Sequence, residues 1–173
     1  MSKIHYKRVN NPLRDLVCYV DASFGGCKDN KKSTTGYVTF VDYNGRAKHL
    51  VDWSSITQKA VSTSTCEAEL AALHEATKAS VLPISQFLED VQGTRPKTKV
   101  YEDNLTTIRK IDTGFSPVLM HMSKTHEVSL AWLHEIYKEK GLLDLHYIPT
   151  KDNAADIMTK GLSGGVIQTG GGF

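Results

Sequence analysis

The chain has 173 residues, 21 Lys and Arg against 19 Asp and Glu, a formal charge of +2, and 40% apolar residues. This is enough apolar sequence for one globular domain with a substantial core, and the near-neutral balance excludes nucleic-acid binding through the overall field. Any such contact falls to local patches, such as Lys28/Lys31/Lys32 and Arg95/Lys97/Lys99. Three cysteines (Cys18, Cys27, Cys66) without metal-type pairing argue against a disulfide framework and for a reducing compartment. No apolar run approaches the ~20 residues of a membrane span.

In chain order, "MSKIHYKRVNNP" is polar, and residues 1–14 read as a tail. "DLVCYVDASF" is a β-rich run interrupted by Asp21, a residue depleted in strands. After the loop "GGCKDNKKS", "TGYVTFVDYNGRAKHLVDWSS" predicts two strands around Asn44-Gly45, a strong hairpin signal. "STSTCEAELAALHEA" predicts a helix, capped by Ser or Thr and running to about Ser80, with an apolar segment resuming at "VLPISQFLEDV". A short strand then ends at Asp103, and "NLTTIRKIDTG" predicts a helix stopped by Gly114. "HMSKTHEVSLAWLHEIYKEKG" carries the longest helical stripe. "LLDLHYIP" is the last strand, "KDNAADIMTKGL" the last helix, and residues 163–173 a Gly-rich tail. The domain is therefore expected over residues 15–162.

The first three strands form an antiparallel meander, and the two later strands, reached through helices, join as parallel neighbours by right-handed crossovers. The expected fold is α/β: a five-stranded mixed sheet with helices on both faces. Ligands of such sheets gather at the carboxyl ends of parallel strands.

Asp21 and Asp103 sit at two predicted strand ends and emerge at one sheet edge if their strands are parallel neighbours. Glu67 or Glu69 on the first helix, and Asp156 on the last, complete an acidic set with Asp152 nearby. On a helix the two glutamates point about 200° apart, so only one faces the edge. Clustered carboxylates repel, and hard divalent cations offset that cost. Each acid also has a structural reading: Asp103 as a helix cap, Asp156 as a first-turn acid on the helix dipole.

"YVDASF", "AEL", "VYEDN" and "NAADIMTK" resemble the Asp, Glu, Asp, Asp pattern of ribonuclease H. More specifically, "KSTTGYVTF", "WSSITQKAVSTSTCEAEL", "SKTHEVSLAWLHE" and "YIPTKDNAADIMTKGL" resemble the ribonuclease H domain of copia-type long-terminal-repeat retrotransposons, over roughly Leu16 to Leu162. In those elements the domain follows the reverse transcriptase in the polyprotein. The resemblance implies a ribonuclease H-like fold and cleavage of the RNA strand of RNA–DNA hybrids during reverse transcription. It implies two Mg²⁺ ions, replaceable by Mn²⁺, and the carboxylates Asp21, Glu69, Asp103 and Asp156 as catalytic metal ligands.

Glu69 is preferred because the family's glutamate directly precedes an apolar residue, here Leu70; Glu67 is then expected to be a solvated first-turn acid. Ser23, Thr65 and Asn104 adjoin the acids and are candidates for substrate contact, as is His126. Expected partners are the hybrid and the reverse transcriptase domain of the same polyprotein, with no membrane, in the cytoplasm within virus-like particles. Cellular enzymes of this fold carry a histidine in the loop before the last helix, where this chain reads "PTKDNAAD"; His126 is a candidate to stand in for it. A catalytically silent hybrid-binding module is the alternative. Integrases place their glutamate on a late helix, and 3′ exonucleases put Asp-x-Glu on the first strand; neither pattern occurs here.

Overall fold

Strands β1 (Arg14–Ser23), β2 (Thr34–Tyr43) and β3 (Lys48–Thr57) form the expected meander, with Arg14 opposite Tyr43 and Ser23 opposite Thr34. This computed structural model describes residues 14–26, 30–43, 45 and 48–160. Arg14, assigned to the tail from sequence, opens β1, while the Gly-rich tail, Cys27 and Asn44 lie outside the described residues. Gly45 takes φ +71°, the left-handed backbone the turn requires, and its N–H donates to Asp42 Oδ1 at 2.6 Å.

Strand β4 (Thr98–Glu102) runs parallel to β1, and β5 (Asp144–Tyr147) parallel to β4, giving the order β3-β2-β1-β4-β5. The parallel β1–β4 ladder stops at Tyr19 opposite Tyr101, whereas β1 continues to Ser23 against β2 alone. Asp21 and Asp103 thus both lie just past the point where β1 and β4 part.

Helix α1 (Thr65–Ala76) starts at Ser64, whose hydroxyl accepts the Glu67 N–H. It does not end near Ser80. A π-helical turn, Thr77–Val81, carries it into α2 (Leu82–Gln92), which Gly93 stops at φ +74°. In that turn the Leu82 N–H reaches back five residues to the Thr77 carbonyl, a wider register that leads into Pro83 without a break. Helix α3 (Leu105–Thr113) is capped by Asn104 and closed by Gly114. The long predicted helix over 121–141 is two pieces. Helix α4 (Met122–Thr125) ends before Glu127, which adopts φ +59°, and α5 (Leu130–His134) starts anew at Ser129 before a π turn, Glu135–Glu139. The last helix, α6 (Asp156–Thr159), is only four residues long.

One sheet face presents Leu16, Cys18, Val20, Tyr37 and Val41 to α1, whose Leu70, Ala72, Leu73 and Ala76 are fully buried. Burying each leucine stabilises the fold by about 1.5–3 kcal/mol. Helix α3 packs against α1 and α5, so α1 has protein on nearly every side. Two buried hydroxyl pairs, Thr39–Ser80 at 2.9 Å and Thr77–Tyr137 at 2.7 Å, satisfy polar groups inside this layer. The opposite face carries Gly36 and Ser55, and α6 docks there.

Candidate active site

The carboxyl end of β1 delivers Asp21, the turn after β4 delivers Asp103, and the second turn of α1 delivers Glu69. One oxygen of each lies within 4.8 Å of the others. Asp156 enters from α6, on the other side of the sheet edge, and lines the same open cleft of about 510 Å³. Ser23, Thr65 and Asn104 also line it, together with Tyr147, Thr150, Thr159 and Lys160. Asn104 Oδ1 is committed to capping, accepting the Thr106 and Thr107 N–H groups at 2.9 and 3.2 Å, which leaves its amide NH₂ for other partners. His126 is not part of the cleft. It is buried against Ser62 (3.3 Å) and Thr125 (2.8 Å) and borders a separate hollow beside Lys59 and Glu127.

Burial and crowding favour the protonated forms of Glu69 and Asp21. Glu69 is 3% exposed, and burial, followed by the repulsion of Glu102, Asp21 and Asp103, pushes its carboxyl up to about 11. Burial also raises Asp21, as do Asp103 and Asp156, while a hydrogen bond from the Thr159 hydroxyl pulls the other way. Glu69 Oε2 has no hydrogen-bond partner among the described residues. A buried, unpartnered carboxylate oxygen beside two more carboxyl groups is what a hard cation completes, so the donor set fits divalent metal.

Glu102 has no counterpart among the residues singled out from sequence. It is fully buried under the cleft; its Oε1 accepts the Asn104 N–H at 3.0 Å, its Oε2 is unpartnered, and burial raises its carboxyl well above the usual range. Strand alternation was the signal for it, since Glu102 shares its face with the buried Val100.

Glu67 is the clearest correction. Expected to be solvated, it is 1% exposed. Its carboxylate accepts the Thr63 N–H and hydroxyl, each at 2.7 Å, and lies 3.4 Å from His121 Nε2. Burial raises this group, but the two Thr63 bonds and the imidazoles of His121 and His126 outweigh it and hold Glu67 below the ordinary value. Glu67 ties the helix start to the segment before α4 and contributes nothing to the cleft.

A retrotransposon Pol polyprotein of Nicotiana tabacum, from transposon TNT 1-94, is 32% identical over 145 residues, 84% of this chain and 10% of the relative. One from transposon RE1 of Arabidopsis thaliana is 30% identical over 153 residues, 86% of this chain and again 10% of the relative. The chain belongs to the copia-type retrotransposon Pol family.

This Pol segment spans about a tenth of the length of the curated relatives it matches. No family model matches it. Its fold is that of ribonuclease H: it superposes on LC11-RNase H1, solved in complex with an RNA/DNA hybrid, with a TM-score of 0.53 at 18% identity, covering 83% of this chain and 93% of that one. The PFV RNase H domain gives 0.51 at 16% identity, covering 85% and 93%. Among the segment's described residues no helix is long and apolar enough to cross a membrane.

Proposed function

We propose that this segment is the ribonuclease H of its polyprotein, an endonuclease that hydrolyses the RNA strand of RNA–DNA hybrids during reverse transcription. The observation that carries this reading is the convergence of Asp21, Glu69 and Asp103 within 4.8 Å at the edge where β1 and β4 part, with Asp156 in the same cleft. Asp21, Glu69, Asp103 and Asp156 hold two divalent cations, Mg²⁺ with Mn²⁺ as substitute. When bound, such a pair would supply the Lewis acidity for an in-line displacement by water that leaves a 5′-phosphate.

The chain's own groups do the rest. The carboxylates that are ionised in the cleft repel a phosphodiester until cations neutralise them, so binding of the backbone is tied to loading of the site. Ser23, Thr65 and the free amide of Asn104 line the cleft as small hydrogen-bonding groups. They suit a 2′-hydroxyl, the group that separates RNA from DNA. Lys160 pairs with Asp156 at the cleft rim and supplies a cation where a phosphate enters. The hybrid and the reverse transcriptase domain of the same polyprotein are the partners, in a cytoplasmic particle.

The test is cleavage of a hybrid labelled on its RNA strand, with Mg²⁺ or Mn²⁺ titrated. Metal-dependent products with 5′-phosphates are expected. RNA left intact at micromolar protein, together with tight hybrid binding, would instead identify a silent binding module.

A further inference from the structure

Helix α6 is too short to hold its place by helical hydrogen bonding, yet it carries Asp156. Its fastening is side-chain chemistry. The buried Asn153 amide donates to the Val20 carbonyl at 2.8 Å, and its Oδ1 accepts the Ala155 N–H at 3.1 Å. Ser55 donates its hydroxyl to the Met158 carbonyl at 2.5 Å. Gly36 leaves room for the helix, since a Cβ there would lie 2.6 Å from Thr159 Cγ2 and 2.9 Å from Met158 Cβ. The last contact differs in kind: the Thr159 hydroxyl, on a residue 7% exposed, donates to Asp21 Oδ2. The same oxygen lies 3.1 Å from the Asp156 carbonyl, so one proton faces two acceptors and the charge of the carboxylate favours Asp21.

The terminal torsion of an aspartate is broad and roughly two-fold, so nothing in the residue itself fixes its plane. A buried donor on one oxygen does. We propose that Thr159 is a positioning residue for Asp21: it sets the plane in which that carboxylate meets the divalent cation, and it makes docking of α6 the event that readies both Asp21 and Asp156. This rests on the metal-dependent reading given above. A merely structural Thr159 would act on the cation only through the hold on α6 and its Asp156, so Thr159→Ala is also titrated in an Asp156→Asn protein, where a structural role costs no further affinity and a positioning role on Asp21 still does.

The experiment is calorimetric titration of Mn²⁺ into the 173-residue protein, without nucleic acid, for wild type, Thr159→Ser, Thr159→Ala and Thr159→Val. Ser and Ala both lose the methyl group, and only Ser keeps the hydroxyl, so that pair isolates the hydrogen bond even if Val does not fold. Outer-shell partners of metal ligands are worth about 10–100-fold in affinity, so Ala and Val are expected to bind at least about tenfold more weakly, with Ser close to wild type. The half-saturating Mg²⁺ for hybrid cleavage should move by the same factor. Equal affinities for Ser and Ala, with wild type binding normally, overturn the positioning role alone. A wild-type protein that binds no Mn²⁺ overturns it together with the metal-dependent reading.

Discussion

Replacing Glu69 with Gln should change the stability of the metal-free protein by an amount that favours the variant increasingly as pH rises. In the fold the Glu69 carboxyl is pushed up to about 11 from an ordinary value of 4.5, so the folded protein holds a proton that the unfolded chain has released. Over that interval this group alone takes about 1.4 kcal/mol of stability per pH unit from the wild type, because the unfolded state binds fewer protons. At pH 7.5, three units above the ordinary value, holding the proton costs about 4 kcal/mol, and at pH 5.5 only about 1 kcal/mol. Gln carries no such cost. Its amide NH₂ must be desolvated where Glu69 Oε2 finds no partner, which returns about 1–3 kcal/mol, and that offset does not depend on pH. The slope is therefore the diagnostic. Urea unfolding in EDTA at pH 5.5, 6.5, 7.5 and 8.5 should give wild-type and Glu69→Gln stabilities that diverge by about 1.4 kcal/mol per unit. Parallel curves would refute the burial and crowding from which the raised carboxyl follows. The variant should also lose cleavage and lose stabilisation by Mg²⁺.

Asp103→Asn should retain the fold and reduce cleavage by more than the roughly hundredfold that loss of an outer-shell group costs, read with the hybrid assay; full activity would remove Asp103 from the ligand set. Glu67→Gln should do the reverse, leaving cleavage by the folded protein intact while costing about 1–3 kcal/mol in urea unfolding, since the Thr63 N–H and hydroxyl then lose their charged acceptor. Because Glu67 is held below its ordinary value, that difference should be fully present above pH 4.5 and fade as pH falls through the lowered value. Gly36→Ala should cost about 1–3 kcal/mol and reduce cleavage further than stability alone explains, since the added methyl pushes against Thr159 and Met158.

The sheet was legible because strand order follows from alternation, the Asn-Gly turn and the handedness of crossovers. Asp21 was legible because an acid inside an apolar strand has few structural uses. The choice between Glu67 and Glu69 was not, and the reason is physical. Helical periodicity reports one buried face, and α1, enclosed by the sheet and α3, buries both glutamates and most residues around them. Only the motif preceding Leu70 separated the two. The break at Glu127 was hidden for a related reason, since helical periodicity resumes at once after it and nothing in the residue type signals a positive φ there. Thr159 looked like any helix-end threonine until its partner, 138 residues earlier, was in view.

The four acids do not share one scaffold. Three ride on elements with extensive burial, and the fourth rides on four residues held by a handful of polar contacts. Local opening of a segment so lightly attached needs far less free energy than unfolding the sheet. Catalytic competence and the folded state therefore have separate thresholds: on heating, activity should disappear while β1, β2 and α1 still protect their amides from exchange, and cooling should restore it without any refolding of the core.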